Sequence, residues 1–284
     1  MKKLLSLALS LLLACSLCTA LAADYSDVFT SFDLRDSWTA ATEITFTDTA
    51  VTINGSGAAA DGTVGTITAP GVYKLQGSCA DGQVLVEIDK AEKAQLVLAG
   101  LTLTCQSSAP LYVLSADKVS LTLAPDTVNT FTDGKAYTAA FEKQPNACIC
   151  SRDDLVINGT GTLNVQGNFN NGIGTKNDLR IAGGVITVSA VKNALKGNDS
   201  VAIQNGAITL TAGKDAIKAD NEDKPDKGYV YIAGGDIHIT AGDDAIQATQ
   251  DVTITGGALT VTATGKAVNS KGSQDVASGV INGK

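Results

Sequence analysis

The chain has 284 residues, 29 of them Gly, with 5% aromatic, 44% apolar and 18% charged residues and a formal net charge of −8. This composition excludes collagen, a coiled coil and disorder, since that much apolar content builds a core. One histidine excludes a multi-histidine zinc site, and the acidic balance argues against a nucleic-acid backbone as partner.

The N-terminus reads as a secretory signal peptide over residues 1–22. Lys2 and Lys3 precede an apolar run, and Ala20-Leu21-Ala22 gives a small-x-small cleavage pattern. Within it, Leu12-Leu13-Ala14-Cys15 resembles a bacterial lipobox, which would make Cys15 a lipidation site and the only tie to a membrane. The expected location is extracellular or at the cell surface. Cys79, Cys105, Cys148 and Cys150 remain in the mature chain, where four thiols allow three pairings or stay as small buried residues. Residues 23–42 read as a linker or N-terminal cap. Residues 43–284 read as one domain, which opens with short strands at Glu43-Ile44-Thr45-Phe46, Val51-Thr52-Ile53, Val72-Tyr73-Lys74-Leu75 and Val84-Leu85-Val86-Glu87-Ile88.

From about residue 150 to 270 one pattern recurs. A first strand carries two inward apolar residues (Leu155/Ile157, Leu179/Ile181, Val201/Ile203, Val230/Ile232, Val252/Ile254). A glycine-containing corner follows, then a second strand (Leu163/Val165, Ile186/Val188, Ile208/Leu210, Ile237/Ile239, Leu259/Val261). A polar bend leads to a third short strand marked by Ile173, Leu195, Ile217, Ile246 and Val268. Successive third strands are 22, 22, 29 and 22 residues apart, the long step holding an insertion around Asn221 to Gly228. A 22-residue period with period-2 alternation excludes propeller blades and helical repeats. Three short strands per rung of about 22 residues describe an all-β parallel β-helix, a solenoid whose rungs stack at the ~4.8 Å strand spacing. By the same alignment Ile149 points inward, with Cys148 and Cys150 flanking it and facing out. Gln274-Asp275-Val276 opens a further rung, left uncompleted and without a recognisable C-terminal cap.

Stacking also aligns the polar bends. Asn171, Asn193, Asp215 and Asp244 form a column, with Asp243 beside Asp244. Carboxylates one rung apart repel unless a cation lies between them, and oxygen-only ligands suit calcium. Asp220, Asn221 and Asp223 follow the third strand and add oxygens near the same edge. Lys192, Lys214 and Lys266 sit beside the column and offer ammonium groups in place of a metal. Tyr229 and Tyr231 face outward, flanking inward Val230; they either stack on sugar rings or pack under the insertion. His238 faces outward in a column with Asn164, Thr187, Thr209 and Thr260, where no nucleophile accompanies it.

The stretches Asn177-Asp178-Leu179-Arg180-Ile181-Ala182-Gly183-Gly184, Gly228-Tyr229-Val230-Tyr231-Ile232-Ala233-Gly234-Gly235 and Gly242-Asp243-Asp244-Ala245-Ile246-Gln247-Ala248 resemble the secreted bacterial carbohydrate-binding β-helix family, which is polysaccharide-lyase-like in fold. The resemblance implies a right-handed helix, calcium in Asp-Asp-Gly bends, and binding of plant-wall polysaccharide such as cellulose or polygalacturonate. Only Asp243-Asp244-Ala245 keeps both acids of that bend; Asn170-Asn171-Gly172, Lys192-Asn193-Ala194 and Lys214-Asp215-Ala216 depart from it. The expected function is that of an exported, non-catalytic, calcium-assisted carbohydrate-binding protein. The alternatives are a calcium-dependent polysaccharide lyase, whose surface Lys or Arg base would need a lowered pKa, and a structural surface adhesin.

Overall fold

The computed structural model describes residues 25 and 27–283; the expected signal peptide, with Cys15, lies outside them. Among the described residues there are 28 strands and no α-helix. They form a parallel β-helix. First and second strands make one 18-stranded sheet, and third strands make a ten-stranded sheet. The registers agree with the repeat. Leu179 pairs with Val201 and Val201 with Val230 across the long step. Ile173, Leu195, Ile217, Ile246 and Val268 pair in one unbroken column. The His238 column runs Asn164, Thr187, Thr209, His238, Thr260. Between residues 155 and 261 the repeat's inward positions are Ile, Leu and Val at near-zero exposure, so each rung's apolar face is covered by its neighbours; Asn129 and Phe131 stand in the second-strand columns one rung earlier, and Val268 is partly buried.

Both ends of this ladder differ from a bare stack. At the N-terminal end, Val51–Asn54 folds back antiparallel on Thr42–Phe46, and Ala58–Asp61 does the same on Val64–Ile67. The two hairpins cover the edges that the first parallel strands would otherwise present. At the other end, Gln274–Val276 pairs with Val252–Ile254, and Ile281–Gly283 pairs with Ala258–Ala263. The rung opened by Gln274 therefore gains its second strand, which the sequence pattern did not show because only Ile281 marks it.

The two cysteines around Ile149 do not both face out. Ile149 pairs with Ile173 as expected, and Cys150 lies on the outer face against Tyr112 and Ala147. Cys148 sits in the main core instead. The third strand begins at a corner, where alternation breaks and two consecutive residues point inward. Ala194, Ala216 and Ala245 occupy the same inward corner position in later rungs. All four described cysteines are buried and unpaired.

Residues 27–41 lie lengthwise along the outer face of the first strands, crossing several rungs. Arg180 donates from Nε to the Val28 carbonyl (2.7 Å). Asn158 donates to the carbonyls of Asp33 (2.9 Å) and Arg35 (3.1 Å), and Gln95 to those of Arg35 and Ser37. Asp33, fully buried, pairs with Lys118 at 2.8 Å. This strap buries a column that alternation alone would leave in water: Gln95, Ser120, Val156, Arg180 and Ala202.

Beside the strap, burial pushes the Asp154 carboxyl above its ordinary value, and the neighbouring Asp178 carboxylate adds to that. A carboxyl raised on folding binds more protons in the native state, so its contribution to stability falls as pH rises from the ordinary range through the raised value. Asp154→Asn keeps an acceptor for the Asp178 N–H (3.2 Å). It is expected to melt above the parent at pH 7 and to lose that advantage near pH 3, as melting curves across this range would show.

Candidate functional site

Three features of the described residues bear on binding. The first is the bend between second and third strands. Here single carboxylate oxygens of Asp215, Asp243 and Asp244 lie within 4.8 Å of one another. Two of the three are tied into the rung stack. Asp215 Oδ1 accepts the Asp244 N–H (3.2 Å), and Asp244 Oδ1 accepts the Lys266 N–H (2.8 Å) while its Oδ2 takes the Asn269 amide (2.6 Å). Asp243 is exposed. The ammonium that reaches this cluster is Lys218, 2.7 Å from Asp215 Oδ2, and not the lysines of the column itself. Lys218 reaches it because it stands on the outward face of the third strand, three residues on.

The column continues through Asn193 and Asn171 without joining the acidic cluster. Asn193 donates both its N–H (3.2 Å) and its side-chain amide (2.9 Å) to Asn171 Oδ1. Asn171 donates in turn to the Asn146 carbonyl (2.9 Å). These amides satisfy one another. Asp220, Asn221 and Asp223 do not share the edge of Asp215, because the strand Ile217–Ala219 separates them. Asp220 pairs with Lys196 (2.7 Å). Asn221 is buried; it donates to Asp199 (2.6 Å) and accepts from the N–H groups of Asp223 (2.9 Å) and Lys224 (3.1 Å), so it pins the insertion to the corner.

The second feature is the tyrosine pair. Tyr25, from the start of the described chain, lies parallel on Tyr231 with ring centroids 4.4 Å apart and planes at 10°, and tilted against Tyr229 at 5.4 Å. An aromatic ring of this chain thus occupies the face on which a sugar would stack. Tyr137 and Phe169 likewise stack on each other, 4.2 Å apart.

The third feature follows from the glycine corners. The glycine at the second position of each corner has a positive φ, +102° at Gly184, +133° at Gly206 and +102° at Gly235. A Cβ on Gly206 would also stand 3.1 Å from the Gly184 carbonyl oxygen. Backbone conformation and rung spacing both demand glycine here, so no side chain fills the corner. What remains is an open groove of about 600 Å³ that crosses successive rungs. Leu34 and Asp36 of the strap form one wall, and Val185, Gln204, Asn205 and Asp236 line the rest. Sequence reasoning found the glycines but not the groove, since its second wall comes from a segment with no repeat.

Comparison with known proteins adds to this geometry. A family model described as "Carbohydrate-binding domain-containing protein" matches residues 60–284. A protein of Acetivibrio thermocellus with the same description is 52% identical over 128 residues, 44% of this chain and 44% of that protein. The chain therefore spans less than half the length of that relative. A solved structure described as "polysaccharide lyase-like protein from C. thermocellum, Gadolinium derivative" superposes with a TM-score of 0.83 at 45% identity, over 84% of this chain and 98% of that one.

Proposed function

The chain belongs to the carbohydrate-binding domain family, and from that premise we propose an exported, non-catalytic protein of the cell surface that binds cell-wall polysaccharide of the cellulose or polygalacturonate type, with calcium assisting. The observation that carries the binding reading is the groove of about 600 Å³ along the glycine corners. Because it crosses the rungs, it offers an extended surface with polar groups on adjacent rungs to a polymer lying along it. Gln204, Asn205, Asp36 and Asp236 present hydrogen-bonding groups to sugar hydroxyls. Leu34 and Val185, each 45% exposed, meet the apolar C–H faces.

Two further points support the reading. Among the described residues the groove's ionisable lining is Asp36 and Asp236; the Lys or Arg base that β-elimination requires is not part of it. The donor set at Asp215, Asp243 and Asp244 suits calcium, a hard cation that takes carboxylate oxygens in flexible geometry. One ammonium, Lys218, faces three carboxylates there and leaves the cluster negative. The six-residue strand Ala207–Ala212 separates that bend from the corner at Gly206, roughly 20 Å along the strand. Calcium at the bend therefore assists by tying successive rungs, not by touching a glycan in the groove.

Calcium titrated into chelator-stripped protein is expected to give saturable heat and a higher Tm, worth about 2.7 kcal/mol at a hundredfold excess over Kd. Asp243→Asn, on an exposed side chain, is expected to weaken that binding without disturbing the fold. No heat and no shift would remove calcium from the reading. Retention on cellulose or polygalacturonate, measured alongside, tests the glycan half. Failure to bind either would sink it, and unsaturated uronate appearing during incubation would make the protein a lyase.

A further inference from the structure

The ten-stranded sheet has an outward column that runs Leu85, Tyr112, Cys150, Gly174, Lys196, Lys218. The loop between the strands Val128–Asp133 and Ala147–Ser151 arches over part of it. Tyr112 donates its hydroxyl to the Lys143 carbonyl (2.6 Å) and meets Phe141 edge-on at 5.3 Å. Tyr137 anchors the base of the loop through Asp133 Oδ2 (2.6 Å) and the Ala147 carbonyl (3.0 Å). Beneath the arch lies a pocket of about 190 Å³ lined by Tyr112, Lys143, Asn146, Cys150, Arg152 and Lys176. Gly174, next to Cys150 in the column, keeps the sheet low here: a Cβ there would come within 3.0 Å of Ala147 Cβ.

The charges around this pocket are the notable feature. Ser151 pairs with Thr175, which places Arg152 and Lys176 at equivalent positions of adjacent rungs, about one strand spacing apart. Like charges in adjacent strands destabilise a sheet unless something neutralises them. Elsewhere on this sheet acids do so, Asp220 for Lys196 and Asp215 for Lys218. Among the described residues, Lys143, Arg152 and Lys176 have no carboxylate partner. A chain with a net charge of −8 thus gathers three cations without a carboxylate partner around one half-open hollow.

We propose that this pocket binds the carboxylate of an acidic sugar, a uronate residue of the polysaccharide, independently of calcium. The inference rests on the carbohydrate-binding reading above and gives the acidic-polysaccharide side of it a second site, away from the groove. Arg152 grips the carboxylate with its planar guanidinium, and Lys176 and Lys143 add point charges. The volume, below the roughly 300 Å³ of pockets that enclose a drug-sized ligand, suits one residue of a longer chain.

The test is calorimetric titration of the full chain with trigalacturonate in the presence of chelator, with neutral cellotriose as the comparison. Trigalacturonate is expected to bind, more weakly as salt is raised, and cellotriose to bind less well. Arg152→Gln together with Lys176→Gln is expected to weaken trigalacturonate at least about tenfold. Arg152→Lys, which keeps the charge without the planar fork, is expected to fall between the double variant and the parent. Arg152 is half-buried and Lys176 exposed, and a cooperative melt at or above the parent's Tm confirms that the double variant folds, since it relieves the like-charge pair. Trigalacturonate binding equally well to parent and double variant, or none in chelator, overturns the inference. If it binds only with calcium and is weakened by Asp243→Asn instead, the carbohydrate reading survives and this pocket does not. If neither sugar is retained with or without calcium, both fall.

Discussion

Replacing Asp33 with alanine is expected to loosen the strap and to lower stability by about 3 kcal/mol, at the lower end of the ~3–5 kcal/mol for breaking a buried ion pair. Asp33 is fully buried and its partner Lys118 nearly so. Removal of the carboxylate leaves an ammonium under the strap with only Asp154, at 3.7 Å, to answer it. It also removes the acceptor of the Thr30 N–H (2.8 Å), which closes the strap's turn. Chemical denaturation measures the loss, and hydrogen exchange locates it: backbone amides of residues 27–41 should exchange faster while those of the inward ladders keep their protection. Pairing Asp33→Ala with Lys118→Met should recover much of the loss, because no buried charge is then left alone. An unchanged midpoint for Asp33→Ala would mean that the strap is held by its carbonyl contacts to Asn158, Arg180 and Gln95. Since Leu34 and Asp36 wall the groove, the same variant is also expected to bind glycan less tightly.

Phe131→Ala is expected to cost about 3–5 kcal/mol, the range for emptying a buried phenylalanine site. Phe131 has no exposed surface and stands between Leu103 and Val165 in the second-strand ladder. Collapse into the vacancy is opposed on both sides, because the backbone ladders fix the rungs at one strand spacing. A loss in the upper half of the range is the result expected from urea melts. Phe131→Leu, which keeps most of the volume, should cost less than about 1.5 kcal/mol. A solenoid couples mainly adjacent units, so the alanine variant is also expected to lower the m-value, as rungs on either side of the cavity open separately. A small loss with an unchanged m-value would show that the strap and neighbouring rungs keep the whole stack in one cooperative unit.

What the sequence made legible was whatever the rung repeats. The Ile, Leu and Val ladders, the glycine corners and the 29-residue step all follow from period and alternation, and the registers agree at each position of the column from Ile173 to Val268. What it hid came from segments with no period. The strap is the main case. Its trace was present in the outward column, where Val156 and Ala202 are apolar at positions that alternation assigns to solvent. Cys148 was misplaced because alternation stops at a corner. The acidic column was legible as a column but not in its partners. Asp220 stands at the far end of a three-residue strand from Asp215, and the lysine beside Asp215 is Lys218, on the adjoining strand. The pocket under Tyr112 draws on a loop and two rungs at once, and no single stretch of sequence contains it.

The buried cysteines carry a consequence for how the molecule is made. Burial raises the thiols of Cys105 and Cys148, and that of Cys150 is pushed up to about 11. Only the thiolate is nucleophilic, so these sulfurs are chemically silent while the rungs stay closed. None is joined to another, and the apolar ladders carry the architecture without a covalent staple. The native state therefore needs no oxidant or disulfide shuffling, and refolding in a reducing medium is expected to reach it.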